Sequence, residues 1–383
     1  MNRDLQTQLT ARIQHHVLAN STDMADAEFY NPVSTYAGEA HAAAEQTQLF
    51  RRYPLVAGHV SQLDGPGSYF TVELCGLPVL VVRDADGTVS AFLNVCRHRG
   101  AKVVEDDAGS ARRFTCPYHA WSYDLGGRLV AIPEADGFCG VAREERGLVP
   151  LACEVRHGLV WVLPEGNELD VASYLGSLDA ELAAYGLDNY VEERAEFVRT
   201  EVNWKLVVDG FLEAYHLPFL HSSTIGPYIR QKPTIFDGHH LHGRMVAVRK
   251  SFESLAESDP ADVDVLQHVA IIYQLFPNTI LVWQADHFEM WNCFPDGESP
   301  ARCVSRVSLL APDATSAEQR TAYWDRNWKV LMDTVEAEDF RVGRTMQRGY
   351  RSGAQQDVVF GRNEPALQHF HRNLSEVVRP HRV

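Results

Sequence analysis

Four residues constrain this chain more than any other feature. Cys96 and His98 flank one arginine, and after a short interval Cys116 and His119 flank Pro117 and Tyr118. Two thiolates and two imidazoles in this order suit a [2Fe–2S] cluster, the cysteines on one iron and the histidines on the other. Replacing two thiolates by neutral imidazoles removes negative charge, so the cluster accepts an electron at higher potential. Tetrahedral zinc uses the same donor types, but Cys-x-His followed by Cys-x-x-His departs from the usual zinc-finger spacings. From Tyr53 to about Pro164 the pattern is short β-branched runs and turns, among them 69–75, 79–83, the Asp84–Gly87 turn and 89–95. Both ligand pairs fall at or just after strand ends, where a rigid sheet fixes the spacing of the loops. Gly100 reads equally well as a turn glycine or as room for close backbone approach.

A second set of metal-ligand types lies in 203–221, with Asp209, Glu213, His216 and His221 on an otherwise apolar stretch. Offsets of four and three place Asp209, Glu213 and His216 on one helix face, with Leu206, Phe211 and Leu212 turned to the core. Pro218 is expected to loosen or end that helix, letting His221 return toward His216. Two histidines and a carboxylate form the facial triad of non-haem Fe(II) sites. On its own, His-x4-His reads better as two core histidines. A third ligand must come from elsewhere; Asp333, Glu336, Glu338 and Asp339 on a long helical stretch, about 316–349, remain open on the residues alone.

The segments Asn94–Ala101 and Cys116–Asp124 closely resemble the Rieske segments of the ring-hydroxylating oxygenases. Asn203-Trp204-Lys205 through Glu213-Ala-Tyr-His216 to His221 resembles that family's mononuclear-iron motif. The likeness spans about 45–350. It implies an α+β chain, a small all-β Rieske domain plus a helix-grip catalytic domain with an antiparallel sheet around a long helix. It implies that His216 and His221 ligate Fe(II), with Asp339 chosen as third ligand by the resemblance of Glu338-Asp339…Gln347-x-Gly349 to the family's C-terminal segment. Glu213, often Asp in relatives, becomes the carboxylate bridging His216 to His98 or His119 of a neighbouring subunit in a homotrimer, and Asp209 a supporting or gating residue near the iron. A terminal oxygenase takes electrons ultimately from NAD(P)H through a reductase or ferredoxin. That partner must be separate, because no nicotinamide or flavin fingerprint occurs here.

A length of 383 residues calls for two domains. We expect a polar helical segment over 1–47, the Rieske domain over 48–165 and the catalytic domain over 166–383. The formal charge of −16 argues against a nucleic-acid binder. No signal peptide or membrane span is apparent, and cysteine usage fits a reducing cytoplasm. Cys75, Cys139, Cys153, Cys293 and Cys303 read as small buried hydrophobes. Arg97, Arg99, Lys102, Arg112 and Arg113 offer a docking face for an acidic donor, or simply a solvated loop. Val171, Leu175, Leu178, Leu182 and Tyr185 mark an amphipathic helix. The runs 269–276, 279–283, 287–294 and 302–310 alternate apolar and polar residues and suggest antiparallel strands. Phe211, Tyr273, Trp283, Phe288 and Trp291 could line a pocket, though for any one of them a core position is the plainer reading. The acidic stretch 251–264 reads as a mobile loop or lid, and His239, His240 and His242 as loop or rim residues. The expected substrate is a small apolar, aromatic compound oxidised with O2. Two alternatives stand beside it: a monooxygenase or demethylase acting on a non-aromatic substrate, and an electron carrier without oxygenase activity.

Overall fold

The computed structural model describes residues 1–313 and 317–379, in two compact units. One is Phe50–Tyr174, and the other joins Met1–Leu49 to the chain from Leu175 onward. The second junction therefore falls at Tyr174/Leu175 rather than at 165/166.

The N-terminal segment begins with α1 (Arg3–Ala19), capped by the Asn2 side chain accepting from the Leu5 amide. The expectation of an all-helical start fails at β1 (Phe29–Pro32), which pairs with a strand more than three hundred residues away, before α2 (Ser34–Ala37) and α3 (Glu39–Ala44). Such a short strand has no local signature; its partner decides it.

The Phe50–Tyr174 unit carries β2 (Leu55–His59), β3 (Ser68–Leu74), β4 (Leu77–Arg83), β5 (Val89–Leu93) and β6 (Ala108–Ser110). Then come β7 (Phe114–Thr115), β8 (Ser122–Tyr123), β9 (Leu129–Ala131), β10 (Pro150–Arg156), β11 (Leu159–Leu163) and most of α4 (Val171–Leu175). Seven strands form one antiparallel sheet in the order β2-β11-β10-β5-β4-β3-β6, and β7-β8-β9 form a small second sheet. Phe92, Phe114, Trp121, Tyr123 and Leu129 pack with Cys96 and Cys116 in one buried cluster. The cysteines thus sit in the core, while their loops open outward.

In the other unit, α5 (Ser177–Ala183) is separated from α4 by Gly176 at φ +56°. This break splits the single amphipathic helix expected there, because only glycine adopts that conformation without strain. Then follow β12 (Tyr190–Thr200), α6 (Trp204–Phe211), α7 (Leu217–Leu220), β13 (Ile229–His239), β14 (His242–Arg249), β15 (Val269–Leu275), β16 (Thr279–Trp283), β17 (Phe288–Pro295) and β18 (Cys303–Pro312). They are followed by α8 (Ala317–Thr334), a π-helical turn Val335–Asp339, α9 (Phe340–Tyr350), β19 (Asp357–Phe360) and α10 (Pro365–Val377). The sheet is antiparallel throughout, in the order β12-β18-β17-β16-β15-β14-β13. Strands β15 and β16 are buried along their whole length. Alternation predicted a wetted face; both faces are covered instead, and inward polar groups are paired, as where Asn292 donates to the Thr279 hydroxyl at 2.9 Å.

The 251–264 stretch is not a free lid. Arg3 donates to the carbonyls of Ala261 and Val263, Gln14 donates to those of Leu255 and Ser258, and Phe252 and Val263 are buried. Four side-chain bonds from α1 fasten it. Cys139 is exposed and Cys153 half-buried, against the expectation of buried hydrophobes, whereas Cys75, Cys293 and Cys303 are buried. Among the described residues no helix is long and apolar enough to cross a membrane.

Candidate metal centres

The two halves of the Cys/His motif fold as matched loops. The Cys96 amide donates to the Ala101 carbonyl at 2.8 Å, and the Cys116 amide to the Trp121 carbonyl at 2.9 Å. Each loop then turns back, Gly100 N–H to the Cys96 carbonyl and Ala120 N–H to the Cys116 carbonyl. The turning residues have φ +81° at Gly100 and +56° at Ala120. Gly100 therefore serves as a turn residue. Its counterpart Ala120 carries the strain of a left-handed conformation with a Cβ, of order 1–2 kcal/mol.

The donors converge. The rings of His98 and His119 lie 4.7 Å apart, and His98 stacks on Trp121 at 4.7 Å and 5°. The Tyr123 hydroxyl accepts from the Arg97 amide at 2.9 Å, so its own proton faces Cys96 Sγ at 3.4 Å. His119 Nδ1 is buried without a hydrogen-bond partner. A lone pair so placed costs free energy unless something electrophilic meets it, and two buried sulfurs beside two imidazoles fit an iron–sulfur cluster. The surrounding basic side chains Arg99, Lys102, Arg112 and Arg113 are exposed.

In the other unit, Asn203 caps α6, its side chain accepting from the Lys205 amide at 3.0 Å. The helix ends at Phe211, so Asp209, Glu213 and His216 do not share a helix face as expected. Glu213 instead folds back as a cap, accepting from the amides of Tyr215 and His216 and from His216 Nδ1. Pro218 sits in the first turn of α7, where a missing N–H costs nothing, so it starts a short helix rather than ending one. Inward of α6 lie Trp204, Lys205, Val207 and Val208, with Leu212 buried just beyond, while Leu206 and Phe211 are only half-buried.

His216, His221 and Asp339 each present a donor atom within 4.8 Å of the others. Asp339 Oδ1 lies 3.3 Å from His221 Nε2 and 3.7 Å from His216 Nε2. The outer nitrogens are engaged elsewhere: His216 Nδ1 by Glu213, and His221 Nδ1 by Glu338 at 2.5 Å. A carboxylate on the far nitrogen fixes tautomer and ring angle and is the usual support of a metal-bound imidazole. Burial disfavours a charged His221, but its hydrogen bonds to Asp339 and Glu338 outweigh that and raise its pKa. The site as built attracts positive charge, and two imidazoles with a carboxylate suit Fe(II). The sequence left Glu338 and Asp339 open on their residues. Their separate places, one outside His221 and one between both rings, come from the π-helical turn that carries them.

Asp209 makes its hydrogen bonds outside this triad. Its carboxylate accepts from the Tyr36 hydroxyl at 2.6 Å and from His371 Nε2 at 2.8 Å, and Asn31 Nδ2 lies 3.1 Å from His371 Nδ1. Burial and the Asp209 charge push the Tyr36 pKa well up, so its proton stays on the hydroxyl. Nothing near Asp209 in sequence announces Tyr36, Asn31 or His371. Glu364 was also missed: burial, then the neighbouring carboxylates Glu213 and Asp209, raise its pKa. Of the aromatic set, Tyr273, Trp283, Phe288 and Trp291 are core, with Tyr273, Trp283 and Phe288 clustered around Tyr185. Phe211 alone is half-open, 5.2 Å from Trp291. His242 is buried and accepts from the Phe276 amide at 3.0 Å, while His239 meets the Ser177 hydroxyl.

One site gathers the donor set of a [2Fe–2S] cluster and the other the two-histidine-carboxylate set of a non-haem Fe(II) centre, the pairing that defines the two-centre Rieske class. Residues 53–149 match the Rieske [2Fe-2S] domain and residues 187–379 the ring hydroxylating alpha subunit catalytic domain, and the chain belongs to that family. It is 30% identical over 191 residues to the glycine betaine monooxygenase oxygenase subunit of Pseudomonas aeruginosa, covering 50% of this chain and 44% of that protein. It is 34% identical over 194 residues to the benzene 1,2-dioxygenase alpha subunit of Pseudomonas putida, covering 47% and 42%. The chain thus spans under half the length of these curated relatives in each match. Among solved structures, the quaternary ammonium Rieske monooxygenase CntA superposes with a TM-score of 0.80 at 20% identity, over 93% of this chain and 96% of that one. Naphthalene 1,2-dioxygenase from Rhodococcus sp. superposes at 0.74 and 18% identity, over 96% of each. At these identities the superpositions speak for the fold.

Proposed function

We propose that this chain is a terminal oxygenase, reduced by a separate reductase or ferredoxin and using O2 to hydroxylate a small organic substrate. The observation that carries this reading is the convergence of His216 Nε2, His221 Nε2 and Asp339 Oδ1, each histidine braced from behind by its own carboxylate. A mere electron carrier has no use for that arrangement. With metals bound, the cluster would supply single electrons and the mononuclear iron O2 activation. The chain's own residues set the geometry. Glu213 and Glu338 aim the two rings, and the Tyr123 hydroxyl sits against Cys96 Sγ. Phe211 presents an apolar edge. We assign Glu213 the bridging role, joining His216 to His98 or His119 of a neighbouring subunit in a homotrimer. A report of inter-subunit electron transfer in the carnitine-oxidising relative supports that reading. Glu213→Gln should keep its iron and lose turnover; normal turnover would remove the bridge.

Two substrate readings have observations behind them. Phe211 beside Trp291, and Trp291 6.4 Å from Phe340, favour an aromatic substrate. Glu213 and Glu364 near His216 favour a cationic one such as a quaternary ammonium compound, the substrate class named for CntA. The reconstituted system under labelled O2, given both classes, separates them. Two labelled oxygens in a ring product would indicate dioxygenation, and loss of a methyl group demethylation. An iron-to-sulfide ratio of roughly one to one, the cluster alone, would overturn the oxygenase reading.

A further inference from the structure

The catalytic unit holds a cleft of about 330 Å³ lined by Glu201, Ser299, Arg302, Arg344, Gln347, Arg348 and Arg351, with Ala301, none of them a donor of either metal centre. Four guanidiniums face one carboxylate, in a chain whose formal charge is −16. Arg344 and Arg348 on α9 and Arg351 at its C-cap, still in helical conformation, recur at four and three residues and so share one face. Among the described residues none of the three has an ion-pair partner. Other arginines of this unit do find carboxylates, as Arg244 does with Glu181 and Arg306 with Glu192. Like charges gathered in excess of their counter-charge repel one another, and the arrangement persists at lower cost when an anion sits among them.

The cleft is also built rather than loose. Arg302 donates through Nε and Nη2 to the Asp296 carbonyl at 3.2 and 3.1 Å, which fixes its plane. Gln347 is buried, its Oε1 accepting from the Asn203 amide at 2.8 Å, and Asn203 Nδ2 donates to the Pro300 carbonyl at 2.6 Å. Both walls, α9 and the 296–302 loop, are therefore tied to the N-cap of α6. Guanidinium groups gathered in this way suit oxyanions with two acceptor oxygens in a plane, the geometry of phosphate and carboxylate.

We propose that this cleft is a binding site for a small dianion of the phosphate or dicarboxylate class. Such an anion would brace α9, whose N-cap is Asp339, and the cap of α6, which leads to His216. A cleft of this volume at the edge of helix and loop matches small-ligand sites in size.

The test is calorimetric titration and thermal unfolding of the full chain with inorganic phosphate, pyrophosphate and succinate, each against sodium chloride at matched ionic strength. The expected result is saturable binding and a concentration-dependent rise in Tm by mass action. The order among the three probes separates a phosphate site from a dicarboxylate one. Binding should weaken at least tenfold in Arg344→Gln with Arg348→Gln. Glu201→Gln should tighten it, an outcome that misfolding cannot produce. Hydrogen exchange should slow in α9 and in 296–302 on binding. No binding beyond the chloride control, or equal affinity in the arginine variant, would overturn the site, as would no tightening in Glu201→Gln.

Discussion

Lys205→Met should destabilise the catalytic unit by about 3–5 kcal/mol, the usual result of leaving one buried charge unpaired. Lys205 and Glu45 are 1% and 2% exposed, and their side chains form an ion pair. Glu45 also accepts from Trp204 Nε1 at 2.9 Å and lies 3.3 Å from His41 Nε2. Lys205 Nζ lies 4.9 Å from the Trp204 ring centroid, close enough for a cation–π contribution. Without the ammonium, a carboxylate stays buried at the junction between the N-terminal segment and α6. Lys205→Met with Glu45→Gln removes both charges and keeps an oxygen for the Trp204 N–H, so most of the loss should return. The coupling between the two sites should reach about 2 kcal/mol. Urea unfolding followed by tryptophan fluorescence measures this, using the transition of the catalytic unit because two units need not unfold together. The pH dependence gives a second check. Burial opposes ionisation of Glu45, but Lys205 and His41 outweigh it and hold its pKa below the ordinary 4.5. The stability this contributes is full above the unfolded value and is lost as pH falls through the lower native one. The double variant should lose less stability in acid. A single variant within about 1 kcal/mol of the parent, or a double variant no better than the single, would refute the reasoning.

Further outcomes follow from the two metal centres. Asp339→Asn should lose the mononuclear iron while the visible absorbance of the cluster persists, and Glu338→Gln should weaken iron binding by roughly 10–100-fold; iron-to-sulfide analysis reads both. Tyr123→Phe removes the hydroxyl facing Cys96 Sγ and should lower the reduction potential of the cluster, since hydrogen bonds to sulfur favour the reduced form; a redox titration showing no decrease would count against that contact. Ala120→Gly removes the Cβ at φ +56° and should stabilise the Phe50–Tyr174 unit by up to about 1–2 kcal/mol, offset in part by the freer unfolded chain; thermal unfolding checks the sign.

Much was legible in the residues. Strands β3–β5 and β15–β18 show as β-branched runs between turns, because a pleated, packed surface selects those side chains, whereas β13 and β14 went unread and carry His239 and His242, expected in a loop or at a rim. The two halves of the Cys/His motif announce themselves because ligand spacing within a loop is local. The helix-face reading of Asp209, Glu213 and His216 fails for an equally physical reason. Periodicity assumes the helix continues, while Glu213 spends its carboxylate capping the next turn. The acidic 251–264 stretch looked mobile by composition, and only Arg3 and Gln14 on α1 show why it is held.

The sequence by itself determined the donor types, the all-β character of the cluster unit and the segment that supplies two histidines, since each rests on patterns local to short stretches of chain. Tertiary structure alone decided which carboxylate stands between the histidines and which stands behind one of them. It also decided that Asp209 answers to Tyr36 and His371 and that a lysine lies in the core. It gathered four arginines over one cleft. Each of these depends on groups brought together across long stretches of chain, where distance and burial, rather than residue type, fix what a side chain does.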